Sequence, residues 1–221
     1  MNDNKRSGAS APLPNHYQTV AQDIMDYIAR QDGVWMDVGS GGGGLGLAVA
    51  ACHKGMMILL DPNEQALGRA IGQAAERRLL DRVIPVIGTA ESVPLPAGAV
   101  DVVISRGSFF FWKDRAAGLR EIHRVLRPGG KAIVGGGLGT RYPQWARQEF
   151  IRRQRHSHIG MSAGELEAFA LARHPETFRR LANDAGLRRF EVVGEGGLNE
   201  DDPHAGIGIW LRFEKEKAHG I

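Results

Sequence analysis

An apolar run that ends on a carboxylate and passes at once into glycines is the stretch of this sequence best suited to bind a ligand. Residues 34–46 read Val-Trp-Met-Asp-Val-Gly-Ser-Gly-Gly-Gly-Gly-Leu-Gly, with the carboxylate at Asp37. A strand, a tight turn and a helix start in this order present backbone N–H groups to a ligand. Gly39, Gly41 and Gly43 tolerate positive φ and let the backbone approach a nucleotide closely. The stretch therefore predicts a nucleotide-binding loop.

A second carboxylate follows the next apolar strand. Residues 56–63 read Met-Met-Ile-Leu-Leu-Asp-Pro-Asn, so that Asp61 and Pro62 stand at the end of the predicted second strand. A carboxylate at this place can accept both hydroxyls of a ribose. Whether the ligand is a dinucleotide or another nucleotide remains open at this point, because Gly39, Gly41 and Gly44 also satisfy the fingerprint of dinucleotide-binding folds.

Two further segments accompany the loop and the second carboxylate. Gly-Thr-Ala-Glu follows the third apolar run at residues 88–91, and residues 120–130 read Arg-Glu-Ile-His-Arg-Val-Leu-Arg-Pro-Gly-Gly. Together the four segments resemble the class I S-adenosylmethionine (SAM) methyltransferases, of the small-molecule type found in ubiquinone and menaquinone biosynthesis. The resemblance covers about residues 17–136. One departure is visible, because the family usually has Asp where this sequence has Thr89.

The resemblance implies transfer of a methyl group from SAM to a small-molecule acceptor, with S-adenosylhomocysteine (SAH) as the product. It assigns no catalytic residue and no metal ligand. The cofactor-binding residues that it implies are Tyr17, Asp37, Gly39, Ser40, Gly41, Gly43, Asp61, Pro62, Thr89, Ala90, Glu91, Ser105 and Arg106. An NAD(P)-dependent oxidoreductase and a non-catalytic SAM-binding protein are the alternatives.

An aromatic segment follows the fourth predicted strand, where residues 105–112 read Ser-Arg-Gly-Ser-Phe-Phe-Phe-Trp. The carboxyl ends of parallel strands face the ligand crevice, so this segment is expected close to the transferable methyl group. Its aromatic rings could hold a flat acceptor or favour the sulfonium by cation–π attraction. Alternatively, two of the four rings cover the core. The segment is not the Asn/Asp-Pro-Pro-aromatic motif of enzymes that methylate an exocyclic base amine.

Two basic or aromatic groups outside these segments are candidates for contact with cofactor or acceptor. Tyr17, beside His16, matches the position from which small-molecule methyltransferases close a lid over the cofactor. A basic run with only Glu149 opposing it could attract an anionic acceptor, or could be a solvated helix face. The run consists of Arg141, Arg147, Arg152, Arg153 and Arg155, beside His156 and His158. The candidate general bases are His16, Tyr142, His156 and His158.

Composition excludes several other classes of function. The 221 residues are 43 % hydrophobic and 24 % charged, which is typical of a globular protein. A formal charge of +3 is too small to favour nucleic acid. No apolar run approaches the roughly 18–20 residues of a membrane span, and no secretory signal pattern is present, so the cytoplasm is the expected location. The lone Cys52 can form neither an internal disulfide nor a cysteine metal cluster, and we expect it to be buried.

The elements that must position these residues alternate between strand and helix. Strands are predicted at 34–38, 56–60, 83–87 and 100–105, with a fifth starting at 132, and helices at 17–29, 45–53, 64–80 and 114–126. Pro85 within the third strand indicates an edge or an irregularity. This rhythm predicts a doubly wound, mostly parallel sheet covered on both faces.

The last part of the sequence departs from that rhythm. Residues 141–173 are mostly helical in pattern, a helix at 175–185 follows, and strands at 190–193 and 206–213 have no helix between them. Two such strands must pair antiparallel or bracket a long loop. The fold class predicted is a seven-stranded Rossmann-like sheet with an antiparallel last strand. We expect a flexible N-terminus (1–14) and one domain (15–221) with a helical cap insertion at about 140–173.

Overall fold

The computed structural model describes residues 12–157, 159–194 and 206–217, and for 155–157 the backbone only. The helices are α1 (His16–Ile28), α2 (Gly44–Cys52), α3 (Glu64–Glu76), α4 (Arg115–Val125), α5 (Gln144–Ser157), α6 (Ala163–Ala172) and α7 (Pro175–Asp184). The strands are β1 (Val34–Val38), β2 (Met56–Asp61), β3 (Val83–Ile87), β4 (Val100–Arg106), β5 (Leu126–Gly136), β6 (Phe190–Val193) and β7 (Ile209–Glu214), and a 3₁₀ turn spans Ser108–Phe111.

The seven strands form one sheet in the order β3-β2-β1-β4-β5-β7-β6. The first five strands in this order, β3, β2, β1, β4 and β5, are parallel to one another. Strand β7 runs antiparallel to both β5 and β6. This confirms the predicted fold class, including the antiparallel last strand. Pro85 lies on β3, at the edge of the sheet, where its missing N–H removes no central hydrogen bond.

Helices cover both faces of the sheet, as predicted. On one face, α1, α2 and α3 pack through residues such as Ile24, Leu47 and Leu67. On the other, α4 and α7 pack through residues such as Ile122 and Phe178. Because β1 and β4 are covered on both faces, their carboxyl ends are the places where the chain can leave the core and reach a ligand.

Several predicted boundaries need correction. The predicted helix at 64–80 ends at Glu76, because Arg78 has a φ of +58° and the chain turns there so that Leu79 is buried. The predicted start of the fifth strand at 132 is too late, since β5 begins at Leu126 and contains the Pro-Gly-Gly turn. The last strand begins at Ile209 rather than at 206.

The expectation that Cys52 is buried is wrong. Cys52 is exposed at the end of α2, and the next residue, His53, is buried in its place, with its ring 4.6 Å from that of Trp35. The geometry of the helix explains why His53 is buried and Cys52 is not. The last turn of α2 presents Cys52 to solvent, and the chain turns inward one residue later.

The segment predicted as a flexible N-terminus falls partly outside the described residues, namely at 1–11. Within the described part, Leu13 packs beside Leu138 and Tyr142, and the carbonyl of Pro14 accepts a hydrogen bond of 2.8 Å from the Tyr142 hydroxyl. These contacts attach the chain before α1 to the segment that precedes α5. No helix in the described part of the chain is long and apolar enough to cross a membrane.

Candidate functional site

The glycine loop after β1 donates backbone hydrogen bonds to the end of β2. The amides of Gly39 and Ser40 donate to the carbonyl of Leu60 at 2.8 and 3.1 Å. Gly39 and Gly41 have φ of +69° and +52°, a conformation that side chains disfavour. A Cβ on Gly39 would also lie 2.2 Å from the Cβ of Ser108, whereas a Cβ on Gly41 would meet nothing within 4 Å. Gly41 thus leaves open space at the crest of the loop.

The tightness at Gly39 leads to a prediction with a matched control. Gly98 has a φ of +70° but nothing within 4 Å of its Cβ position, so that Gly98→Ala carries the conformational strain without a clash. We expect Gly39→Ala to lower the free energy of unfolding by about 1–3 kcal/mol and more than Gly98→Ala does, because Ser108 must also move. Urea unfolding of both variants measures the difference. Equal losses would contradict the role given to the Gly39–Ser108 contact.

Asp61 links the loop to the end of β2. Its Oδ2 accepts from the amide of Gly41 at 2.7 Å, and its Oδ1 accepts from the amide of Asn63 at 2.9 Å. The predicted ribose contact therefore has to share a carboxylate that already orders the loop. Each carboxylate oxygen can accept a second hydrogen bond, so capacity for two hydroxyls remains.

Asp37 lies beneath the loop and is 2 % exposed. Its Oδ2 accepts a 2.8 Å hydrogen bond from the amide of Gly46 in the first turn of α2, so it braces the helix start. The pKa of Asp37 is raised to about 7, chiefly by burial and also by the nearby Asp61, while the hydrogen bond from Gly46 and the charge of Arg106 act in the opposite direction. A carboxyl group with this pKa can change its charge when a cation binds beside it.

Arg106 brings a positive charge to the same place. It is largely enclosed, its Nε donates to the carbonyl of Gly137 at 2.6 Å, and its guanidinium carbon lies 5.2 Å from the ring centroid of Tyr17. Within the described part of the chain no carboxylate lies within the 4.0 Å that would make an ion pair with it. Burial lowers the pKa of Arg106. A partly desolvated cation without an ion-pair partner is stabilised when an anion binds beside it.

Two adjoining cavities surround these groups. The glycine-loop cavity, of about 470 Å³, is lined by Asn15, Tyr17, Asp37, Gly39, Ser40, Gly41, Gly42, Gly44, Leu45, Gln73, Arg77 and Arg106. The Asp61 cavity, of about 530 Å³, is lined by Gly39, Asp61, Pro62, Gly88, Thr89, Ala90, Glu91, Ser108, Phe111, Trp112 and Lys113. Gly39 lines both, so both cavities border the glycine loop.

Two residues predicted to contact the cofactor line neither cavity. A Cβ on Gly43 would lie 2.9 Å from the Cβ of Ala70, so this glycine allows α2 to approach α3. Ser105 is fully buried, and its hydroxyl lies 2.7 Å from that of Ser108. Ser108 in turn donates to the carbonyl of Val38 at 2.8 Å. Ser105 therefore acts on the glycine loop through Ser108.

Glu91 orders the loop that follows the 3₁₀ turn. Its Oε1 accepts from the amides of Lys113 and Asp114 at 2.7 and 3.2 Å. Thr89 forms an isolated bridge with Ser92, in the loop after β3. These two residues shape the wall of the Asp61 cavity.

The aromatic segment after β4 divides between core and site. Phe109 is fully buried and Phe110 packs against the same core cluster. Phe111 is 84 % exposed and Trp112 is half-buried, and both line the Asp61 cavity. Phe109 and Phe110 therefore pack in the core, and Phe111 and Trp112 border the cavity, with Trp112 also packed against the core cluster. Contact of these rings with an acceptor or a sulfonium stays a prediction.

The surroundings of two of the candidate general bases, Tyr142 and His16, disfavour that role. The hydroxyl of Tyr142 donates to Pro14, and burial raises the pKa of Tyr142. Burial and the charge of Arg106 lower the pKa of His16 to about 4. His16 is accordingly neutral at pH 7 and weakly basic. His158 and the side chain of His156 lie outside the described residues.

The basic run at 141–155 is largely neutralised within the protein. Arg141 pairs with Asp23 and Asp26 of α1, and Arg152 and Arg153 pair with Glu149. Arg147 donates to the carbonyl of Tyr142 at 2.6 Å. The side chain of Arg155 lies outside the described residues. The expectation that Glu149 alone opposes this run is wrong, because α1 supplies two further carboxylates.

Sequence reasoning did not single out Asn15, Gln73 and Arg77, which also line the glycine-loop cavity. Gln73 donates from Nε2 to the carbonyl of Gly42 at 3.1 Å, and Arg77 donates to Gln73. The sequence offers only a weak indication of this contact, because Gln73 and Arg77 are simply two polar residues four apart, which share a helix face.

The cavities fit an adenosyl amino acid by three independent features. The hydroxyl of Ser40 is buried and has no hydrogen-bond partner in the described part of the chain. Gly41 leaves open space where a side chain would otherwise project. Asp37 and Arg106 offer one negative and one positive group to the same cavity, which suits the ammonium and carboxylate of the methionine moiety.

Comparison with known proteins agrees with this reading. Residues 36–134 match the methyltransferase domain family. Over 117 residues the chain is 33 % identical to the 2-methyl-6-phytyl-1,4-hydroquinone methyltransferase of Arabidopsis thaliana, covering 52 % of this chain and 32 % of that protein. Over 82 residues it is 32 % identical to the ubiquinone/menaquinone biosynthesis C-methyltransferase of a Shewanella species, covering 37 % of this chain and 33 % of that protein. The chain spans about a third of the length of these curated relatives.

A solved structure extends the likeness over nearly the whole chain. It is a provisionally assigned SAM-dependent methyltransferase from Methanococcus maripaludis, with a TM-score of 0.73 and 26 % identity over 93 % of this chain and 88 % of that one. In fold over nearly the whole chain, and in sequence over residues 36–134, the protein is therefore similar to SAM-dependent methyltransferases.

Proposed function

We propose that the protein transfers the methyl group of SAM to a small-molecule acceptor. The observation that carries the proposal is the pair of opposite groups, the buried Asp37 and the half-buried Arg106, in one cavity beside the Asp61 cavity. A nicotinamide dinucleotide has no amino-acid group that would call for this pair. The homology of the named quinone methyltransferases supports the same reaction class, although this chain spans only part of them.

In this proposal the glycine-loop cavity holds the methionine moiety. Arg106 and the amides of the loop at Ser40 and Gly41 would bind its carboxylate, and Asp37 its ammonium. Tyr17, packed over Gly44 so closely that a Cβ there would lie 2.5 Å from its ring, would close the cavity from the α1 side. The adenosine would occupy the Asp61 cavity, with its ribose on Asp61 and its adenine among Pro62, Thr89, Ala90 and Glu91.

The cofactor supplies an electrophilic methyl group on a sulfonium whose departure leaves a neutral thioether. The chain's own residues are then needed chiefly to align the reactants and to keep water out. The hydroxyl network of Ser105 and Ser108 fixes the loop at Val38, and Arg106 ties the end of β4 to Gly137. We assign no general base, since one is required only for an acceptor that arrives protonated.

Helices α5 and α6 would form the cap of a single domain spanning residues 15–221, over an acceptor that enters from that side. The cytoplasm is the proposed location, and nucleic acid is not a proposed partner.

The test begins with binding and then measures turnover. By calorimetry we expect SAM and SAH to bind with dissociation constants in the micromolar range, and NAD and NADP not to bind. Incubation with methyl-labelled SAM and a metabolite extract should then place the label in a small molecule. Binding of NAD in preference to SAM would favour the oxidoreductase, and tight SAM binding without labelled product would favour the non-catalytic protein.

A further inference from the structure

A second group of cations lies beside the 3₁₀ turn, outside both cavities. Arg173 follows α6, and its guanidinium carbon lies 4.1 Å from the ring centroid of Phe110 and 3.5 Å from that of Phe169. Arg115 opens α4, donates from Nη2 to the carbonyl of Phe110 at 3.0 Å, and lies 5.7 Å from the ring centroid of Phe109. Both arginines therefore gather around one aromatic residue.

Neither guanidinium has a carboxylate within 4.0 Å in the described part of the chain. The arginines of the neighbouring α7 do have carboxylate partners, since Arg179 pairs with Glu176 and Arg180 with Asp184. Burial lowers the pKa of Arg173 to about 10, and the charge of Arg115 contributes to that effect. Two partly desolvated like charges that repel each other are stabilised when an anion binds to both.

The 3₁₀ turn connects this pair to the cofactor side of the molecule. Phe110 covers Gly136 at the end of β5 so closely that a Cβ there would lie 2.9 Å from the ring. Two residues earlier, Ser108 binds the carbonyl of Val38 at the start of the glycine loop. The pair thus lies at the carboxyl ends of β4 and β5, where an acceptor would approach the methyl group.

We propose that Arg115 and Arg173 form an oxyanion subsite for the methyl acceptor, with Phe110 as its apolar floor. This rests on the proposed methyl transfer, and it assigns the acceptor to the class of small molecules that carry a carboxylate or a phosphate. Each guanidinium has five N–H donors, and each makes one hydrogen bond to a carbonyl at this site, so donors remain for the anion. Planar guanidinium groups suit both oxyanions.

The test compares charged and neutral probes of one shape. The protein is first saturated with SAH, and benzoate, phenyl phosphate and benzamide are then titrated by calorimetry, with a parallel series lacking SAH. At least one of the two anions is expected to bind tenfold more tightly than benzamide. Arg115→Met and Arg173→Met should each reduce that preference at least fivefold, Arg173→Lys should retain part of it, and Arg179→Met should leave it unchanged.

The outcomes separate this inference from the proposed function. Failure of the wild type to bind SAH would remove the proposed function, while the series lacking SAH would still report on the anion site. No preference for either anion over benzamide would overturn the subsite, as would a preference that survives both methionine variants. A loss of SAH affinity in the folded Arg173→Met protein would also overturn it, because the pair would then act on the cofactor.

Discussion

Replacing Asp61 by Ala is expected to weaken the binding of SAM and SAH by about 10- to 100-fold. The carboxylate holds the amide of Gly41 at the crest of the glycine loop, and we propose that it also accepts the ribose hydroxyls. The variant would therefore lose charge-assisted hydrogen bonds of roughly 1.5–3 kcal/mol and would loosen the loop that we propose to bind the amino-acid group. Calorimetry with SAH measures the effect without interference from turnover.

A matched control and a conservative variant separate the two roles of Asp61. Asp81 is exposed, so Asp81→Ala removes a carboxylate from the surface and should leave SAH affinity unchanged. Asp61→Asn keeps one acceptor oxygen but offers an NH₂ group where the second oxygen stood, and we expect it to lose most of the same affinity. Wild-type affinity in a folded Asp61→Ala protein would count against both the ribose contact and the proposed placement of the adenosine.

The parts of the site that the sequence predicts are those that depend on local backbone chemistry. Asp37 and the glycines after it indicate a strand, a turn and a helix start within a dozen residues, and Asp61 ends the neighbouring strand. Parallel pairing of Val38 with Leu60 then brings the two ends together. Alternation of strands and helices was enough to predict the sheet, and the closely spaced last strands were enough to predict its antiparallel end.

The parts that the sequence does not predict depend on tertiary contacts. Gln73 reaches the glycine loop only because α3 presents that face, and Glu91 orders a loop more than twenty residues away. Ser105 shares the segment of Arg106, but alternation along β4 turns its hydroxyl into the interior. Arg141 resembled a free cation in the sequence because its carboxylate partners belong to α1, far away along the chain.

We expect the charge of Asp37 to make the binding of SAM and SAH dependent on pH. In the free protein its pKa is about 7, so that this carboxyl is mostly neutral at pH 6 and mostly ionised at pH 8. An ammonium bound beside it would favour the ionised form, and binding would then release a proton. We expect SAH affinity to rise up to about tenfold between pH 6 and pH 8, which corresponds to a fall in pKa of about one unit on binding.

The variant that tests this dependence is Asp37→Asn, whose amide oxygen can still accept the hydrogen bond from Gly46. The amino group of the free ligand titrates identically in both experiments, so the difference between the two affinity profiles reports on the side chain at position 37. We expect the asparagine variant to bind more weakly at pH 8 and to lose most of the rise with pH. A profile as steep as that of the wild type would show that Asp37 does not carry the coupling.

The same group also predicts the opposite trend for the stability of the free protein. Because the pKa of Asp37 is higher in the folded than in the unfolded chain, the folded state binds the extra proton between about pH 4 and pH 7. Its contribution to the free energy of unfolding is therefore full below the unfolded pKa and is lost as pH rises through the folded pKa. Asp37→Asn should flatten that loss in urea titrations without ligand, while its SAH affinity changes in the sense given above. Stability and cofactor affinity thus respond to pH with opposite signs through one carboxyl group, as expected of a buried acid whose charge is needed only when a cation is bound.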